Sequence, residues 1–409
     1  MSFDYGIIGG GPAGYTVAMS LAQQGKKVVL FEKDKIGGTC LNRGCIPTKS
    51  LLHSSEIYKQ TLKLQEHGIE AEIKSFDFSK IKERQNKIVE KIRKSLELAV
   101  KNSGVNIVYS EAKIIDSSTI QADTEYKVQK IIVATGAKPK ELKGLTYDKN
   151  FILNSDDILN LEKLPQKVLI VGSGAIGIEW SRILSNFGVE VNIVEMGEHL
   201  IPIADIEISK RIERIFKQNK INYFVNDYIA NIDNKVVTLN SGKIIEPDFI
   251  LVAAGREPLT CETEECEKIG DIRGEIQLAH YAIQQGINLA NNNSVTLDKN
   301  IIPSVIYGEP EIAWFGLREQ DCDEEIQKIT LPITALGKSW CDDATDGFIK
   351  ILAKDDQIIG AHIVSKEASA LIHQLLIATQ HKVKISELKK VCFAHPTFSE
   401  GIFEAICRL

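Results

Sequence analysis

The sequence predicts an α/β protein with two Rossmann-like dinucleotide-binding units, the second inserted in the first, plus a C-terminal α+β domain. A repeated motif carries most of this. Gly9-Gly10-Gly11-Pro12-Ala13-Gly14 returns as Gly172-Ser173-Gly174-Ala175-Ile176-Gly177, each copy lying between an apolar strand and an apolar helix pattern. From about residue 293 the pattern changes to short strands and then helices. The expected division is 1–142 with 256–292, then 143–255, then 293–409.

In the first copy, strand 3–8 enters the loop and strand 27–31 ends in Glu32; in the second, strand 167–171 enters and strand 189–194 ends in Glu195. The acid follows the third glycine by 18 residues in both copies, close to the ~20 of a dinucleotide fold. Each copy has a further apolar strand ending in a glycine turn, at Thr135-Gly136 and at Gly255-Arg256. Residues 79–101 read as a lysine-rich helix with Ile81, Ile88, Ile92 and Leu96 on one face and a solvated face opposite. Helix 368–381 and the tail 391–409 complete the third domain.

Composition excludes several classes. With 409 residues and 44% apolar content the chain can fill several cores. A net charge of -6 disfavours nucleic acid and anionic membranes as partners. No apolar run reaches the ~18 residues of a membrane span. Eight cysteines in a chain of this length suit free thiols in a reducing, cytoplasmic setting. No cysteine–histidine grouping suggests a metal.

Gly9, Gly11 and Gly14 let backbone amides approach a pyrophosphate, helped by the positive end of the following helix. Glu32 is placed to accept from an adenosine ribose. Gly172, Gly174 and Gly177 repeat the arrangement with Glu195. A carboxylate there repels a 2′-phosphate, and Met196-Gly197-Glu198-His199 offers no arginine or lysine, so NAD is expected over NADP.

The run Gly37-Gly38-Thr39-Cys40-Leu41-Asn42-Arg43-Gly44-Cys45-Ile46-Pro47-Thr48-Lys49 sets two cysteines at the start of a helix. That suits a short reversible disulfide whose thiol is partly activated by the helix end. Cys261 and Cys266 share the spacing, but three glutamates lie between them and raise thiol pKa values, so these two read as structural. Cys322, Cys341, Cys392 and Cys407 are scattered. His395, with Glu400 five residues on, has the context of a general base held by a carboxylate; a satisfied loop histidine is the plainer reading of His-Pro alone. Lys49 lies on the redox helix and Glu179 two residues past the second loop, and spacing leaves them as independent charges or a pair.

Together these residues resemble the pyridine nucleotide-disulfide oxidoreductases over nearly the whole chain, most closely at residues 37–52 and 395–400. The resemblance implies FAD held by Gly9, Gly11, Pro12, Ala13, Gly14, Glu32, Lys33, Gly38, Thr39, Thr135 and Gly136. Gly270 and Asp271 would meet the flavin's ribityl and phosphate region, with Leu278, Ala279 and His280 along its ring. NAD would take Gly172, Gly174, Ile176, Gly177, Glu195, Gly255 and Arg256. Cys40 would exchange with substrate, Cys45 would face the flavin, and Lys49 with Glu179 would form an ion pair beside it. His395, oriented by Glu400, would serve the other subunit of an obligatory homodimer. The implied substrate is dihydrolipoamide, carried by a lipoyl domain of a 2-oxoacid dehydrogenase or glycine cleavage complex. Alternatives are reduction of another small disulfide, or a flavin-poor docking subunit.

The chain departs from this pattern twice. Only ten residues, 259–268, separate Pro258 from Ile269, where two strands of ~5 residues and a turn would need ~12. A hairpin is therefore missing, and the closing strand is acidic. Phe393 stands where the family often has another histidine.

Overall fold

The computed structural model describes residues 2–72, 75–261, 266–322 and 325–409. Strand Ser2–Ile8 (β1) enters the first glycine loop, which opens helix Pro12–Gln23 (α1). Pro12 sits in the first turn, where its missing donor costs nothing. Strand Val28–Phe31 (β2) is buried at all four positions, as a strand covered on both faces must be. Helices Gly38–Arg43 (α2) and Cys45–Thr61 (α3) follow. Here the structure corrects the reading of one cysteine-bearing helix: Gly44, between α2 and α3, leaves helical geometry (φ -144°, ψ -112°). A Cβ at Gly44 would lie 3.0 Å from the Thr39 carbonyl oxygen, so the close approach of the two helices favours a bare backbone.

Helix Phe78–Asn102 (α4), capped by the Asp77 carboxylate on the Ser79 and Lys80 amides, reproduces the lysine-rich helix. Strands Asn106–Val108 (β3), Lys113–Asp116 (β4), Thr119–Gln121 (β5) and Glu125–Val133 (β6) complete a sheet of order β3-β2-β1-β6-β5-β4, parallel through β6.

The chain leaves this sheet through Ala137–Pro139 (β7) and builds a second one. Strand Ile152–Leu153 (β8), strand Lys167–Val171 (β9), helix Ala175–Asn186 (α5), strand Glu190–Val194 (β10), helix Ile206–Gln218 (α6) and strand Asn222–Phe224 (β11) come in turn. A three-stranded ribbon over residues 229–245 precedes Phe249–Val252 (here β12). The parallel order is β11-β10-β9-β12-β8. Strand Arg256–Pro258 (β13) then pairs antiparallel with β7, so exit and return run side by side. The closing strand Glu267–Lys268 (β14) sets Glu267 opposite Ile132 and Lys268 opposite Val133 on β6. At two residues it is short, as the ten-residue segment requires. Residues 262–265 of that segment lie outside the described residues.

Helix Ala279–Ala290 (α7) packs on α1. The rest is a five-stranded antiparallel sheet, Ser304–Ile306 (β15), Glu311–Gly316 (β16), Gln327–Pro332 (β17), Phe348–Lys354 (β18) and Gln357–Ser365 (β19), covered by helices Ala368–Gln380 (α8) and Glu400–Arg408 (α9). Lys350 on β18 is fully buried and pairs with Asp205 (2.7 and 2.9 Å), which also caps α6, and with Glu319 (2.7 Å). A buried charge needs such partners, and here they tie the antiparallel sheet to the second parallel unit.

The glycine loops are tight on their protein side. A Cβ on Gly14 would sit 1.8 Å from the Gly9 carbonyl oxygen. Gly14→Ala is expected to displace α1, destabilising the fold by about 1–3 kcal/mol and weakening retention of any nucleotide at that loop. A chemical melt and a ligand-release assay check both; unchanged values would show that the loop tolerates the methyl group.

Candidate functional site

At the first loop, Gly11 meets nothing closer than the Gly38 Cα at 3.8 Å from an added Cβ, so the loop is closed behind and open in front. Added Cβ atoms on Gly9, Gly38 and Gly270 would approach Thr135 N, Gly11 Cα and Ala13 Cβ. Gly9, Gly11, Ala13, Gly38, Thr135 and Gly270 therefore converge on the start of α1. Glu32 is buried and accepts from the Gly10 and Asp34 amides, both at 2.8 Å. The Thr135 hydroxyl is buried without a hydrogen-bond partner. Burial pushes the Asp271 carboxyl up, against the nearby Arg256 charge. An open glycine cradle, an orphaned hydroxyl and a desolvated carboxyl fit a polar, extended ligand such as FAD.

The second loop repeats the design. Glu195 accepts from the Ser173 amide (2.8 Å), the Ser173 hydroxyl (2.7 Å) and the Gly197 amide (2.8 Å). Gly174 opens to empty space, while a Cβ on Gly177 would lie 2.0 Å from the Gly172 carbonyl oxygen. Ile176 is in the first turn of α5. This cradle, with its acid at the strand end, fits NAD.

The other expected cofactor residues lie as follows. Lys33 pairs with Glu111 at 3.6 Å on the surface. Arg256 donates to Ser155, to Asp156 and to the Ala137 carbonyl, bracing the β7–β13 crossing. Leu278 is the N-cap of α7 and Ala279 its first residue. His280 meets the Pro303 carbonyl at 2.9 Å, and burial lowers its pKa. Gly136 and Gly255 hold positive φ (82° and 90°) in open space, a conformation glycine adopts freely.

Cys45 is the first residue of α3, and Cys40 lies across the Gly44 break on α2, beside Thr39. Both are half-buried thiols. The Cys40 S–H donates to the Cys45 sulfur, which with Lys49 holds Cys45 down to about 7 against burial and the Glu179 charge. The same hydrogen bond, burial and the Cys45 charge push Cys40 up. Cys45 is thus the more acidic sulfur of the two, and Cys40 the one that keeps its proton.

Helix α3 packs on α5, which brings Lys49 to Glu179 with both carboxylate oxygens at 2.7 Å. Glu179 is buried and also accepts from the Tyr307 amide at 3.1 Å, and Lys49 sits 4.7 Å over the Tyr307 ring. Sequence reasoning missed Tyr307, which nothing local marks. It also missed Arg182, 6% exposed, whose Nη1 donates to the Tyr307 carbonyl. Lys49→Met is expected to raise the pH midpoint of Cys45 alkylation in the reduced protein from about 7 by about one pH unit. An unmoved midpoint would remove Lys49 from the thiol's electrostatics.

His395 stands apart from the thiols, before α9. Its Nδ1 meets the Glu400 carboxylate at 2.8 Å, whose other oxygen takes the Thr397 amide at 2.8 Å. These two contacts, the amide first, hold the Glu400 carboxyl below its usual range. The His395 side chain is 78% exposed, so its ring is open to a neighbouring molecule. Phe393 packs on Phe403 with ring centroids 5.5 Å apart, a core role for the residue that departs from the family's histidine.

The pyridine nucleotide-disulphide oxidoreductase family model matches residues 3–268, and the family's dimerisation domain matches residues 302–406. The chain belongs to this family. It is similar to dihydrolipoyl dehydrogenase of Bacillus subtilis (strain 168), 32% identical over 98% of this chain and 97% of the relative. Mitochondrial dihydrolipoyl dehydrogenase of Pisum sativum is also 32% identical, over 98% and 90%. The Bacillus subtilis alignment spans 459 positions against 409 residues here, so that relative carries segments this chain lacks. Among solved structures, LpdA from Mycobacterium tuberculosis superposes with a TM-score of 0.91 at 24% identity, covering 99% of both chains. This family member is a FAD-dependent disulfide oxidoreductase linked to NAD, and its dimerisation domain supports a homodimer. No helix among the described residues is long and apolar enough to cross a membrane.

Proposed function

We propose that this enzyme oxidises dihydrolipoamide to lipoamide with NAD, as a homodimer of subunits divided at 1–142 with 256–292, 143–255 and 293–409. The observation that carries the reading is Cys45 at the first residue of α3, on the same helix as Lys49, which Glu179 holds with both carboxylate oxygens at 2.7 Å, a setting that lowers the Cys45 thiol relative to Cys40. In the oxidised pair the better leaving group is Cys45, so an incoming thiolate attacks Cys40. His395 of the partner subunit takes the proton from the first substrate thiol, whose sulfur bonds to Cys40 and expels Cys45 as a thiolate. The second substrate thiol attacks the first substrate sulfur of that mixed disulfide, and its proton passes to the departing Cys40 sulfur. Lipoamide forms its ring disulfide and Cys40 leaves as a thiol. Two electrons and two protons have then moved from substrate to protein. Lys49, held by Glu179, stabilises the Cys45 thiolate. When bound, FAD supplies two-electron transfer from the dithiol toward NAD. Glu32 and Glu195 orient the two dinucleotides.

The test is steady-state NADH formation from dihydrolipoamide, beside reduction of lipoamide, oxidised glutathione and cystine with NADH or NADPH. The reading expects dihydrolipoamide to exceed the others in kcat/KM. A second reading, reduction of another acceptor by the same dithiol, is favoured by 31% identity to leghemoglobin reductase of Vigna unguiculata, over 98% of this chain and 86% of that one. Higher kcat/KM with a different disulfide would select it. Glu195→Arg is expected to lower kcat/KM for NAD about 10–100-fold and to improve NADP, since ~1.4 kcal/mol is tenfold. An unchanged NAD/NADP ratio would remove Glu195 as the selector.

A further inference from the structure

Away from that site, Cys261 and Cys266 bring their sulfurs to 3.5 Å. This is van der Waals contact, about 1.5 Å longer than the ~2.05 Å of a disulfide bond. Their sequence context alone reads as structural, but the structure places them where a bond has consequences. Both side chains are half-buried and pack on the apolar cluster around Phe3, Phe31 and Ile131. The backbone is anchored on each side. Before Cys261, β13 pairs with β7 and the Leu259 amide donates to the Gly136 carbonyl. After Cys266, β14 pairs with β6 and the Ile269 amide donates to the Val133 carbonyl. Two sulfurs in contact between two anchored ends have only about 1.5 Å to close in order to bond.

We propose that Cys261 and Cys266 form a second, reversible disulfide, set by exchange with small disulfides, that ties the start of the closing strand β14 to the end of the β7–β13 crossing. One cysteine, as its thiolate, attacks a small disulfide, forming a mixed disulfide and releasing one small thiol. The other cysteine attacks the protein sulfur of that mixed disulfide and releases the second small thiol. The protein loses two electrons and two protons; the small disulfide gains both. The staple replaces, in a shortened connection, the order that a longer strand would supply. β14 runs directly into Gly270, whose amide is held by Gln285 at 2.6 Å, and into Asp271. Its effect on flavin retention rests on the FAD assignment above.

The test uses the full-length dimer incubated with excess oxidised glutathione or oxidised dithiothreitol, then alkylated, digested and mapped by mass. The expected result is that the peptide material carrying Cys261 and Cys266 loses two hydrogens and takes no alkyl group, reversibly with dithiothreitol. Amide exchange over 267–272 should slow several-fold in the oxidised protein and not in Cys266→Ser, and FAD release should slow alongside it. Full alkylation of both thiols, a persistent glutathione adduct without closure, or closure with unchanged exchange at 267–272 would each overturn the staple. Unchanged FAD release would overturn its reach to the flavin. Closure and slowed exchange in a protein that never binds FAD would support the staple while sinking the flavin reading.

Discussion

Cys45→Ser is expected to lower dihydrolipoamide-dependent NAD reduction by about 10³-fold or more, because removing a unique nucleophile or leaving group costs on this scale. The substitution changes one half-buried atom, so the variant should keep its fold. Cys40 remains, but it loses the sulfur with which it bonds and to which it donates its proton. The thiolate population near pH 7 should therefore vanish from the alkylation profile. Steady-state NADH formation and that profile are the two measurements. A variant retaining a tenth of the wild-type rate would sink the assignment of Cys45 to electron transfer.

The second large effect concerns His395. His395→Gln keeps size and hydrogen bonding but removes the titratable ring, and should lower the rate about 10²–10⁴-fold. Glu400→Gln should cost less, about tenfold, because it disturbs the base's orientation and not its presence. Glu400 sits below its usual carboxylate range, so it keeps its charge near neutral pH and holds the ring through its hydrogen bond. Mixing Cys45→Ser with His395→Gln subunits separates service across the dimer from service within one chain. If His395 acts on its partner, random exchange in a symmetric dimer restores about a quarter of wild-type activity. No recovery from exchanged dimers would place the base with its own subunit's thiols.

Local periodicity disclosed a good part of this molecule. Residues 79–101 read as a helix because four apolar positions share a face, and the structure returns Phe78–Asn102. The two glycine loops were legible because tight turns, close helix–strand contact and a strand-end acid each demand particular residues. The cysteine segment misled in one respect: one helix was expected, and Gly44 splits it into two. Short strands such as Ala137–Pro139 and Arg256–Pro258 carry no periodicity of their own and exist because they pair with each other. Tyr307 was invisible for a related reason. Its contribution is a backbone amide, available to any residue that is not proline, 128 positions from Glu179. Nor did the sequence show that Arg256 braces the β7–β13 crossing through hydrogen bonds to Ser155, Asp156 and the Ala137 carbonyl.

The contact between Lys49 and Glu179 joins residues 130 positions apart, with the Tyr307 amide completing the carboxylate's surroundings. A chain emerging during synthesis carries Cys40 and Cys45 long before it carries Glu179, and longer still before Tyr307. Lys49 is then an unanchored side chain, and Cys45 behaves as an ordinary, mostly protonated thiol. The acidic thiol comes into being only when α3, α5 and the start of the antiparallel sheet have docked. A half-made chain is thereby spared stray oxidation and wrong disulfides, because its reactivity is switched on by completion of the fold.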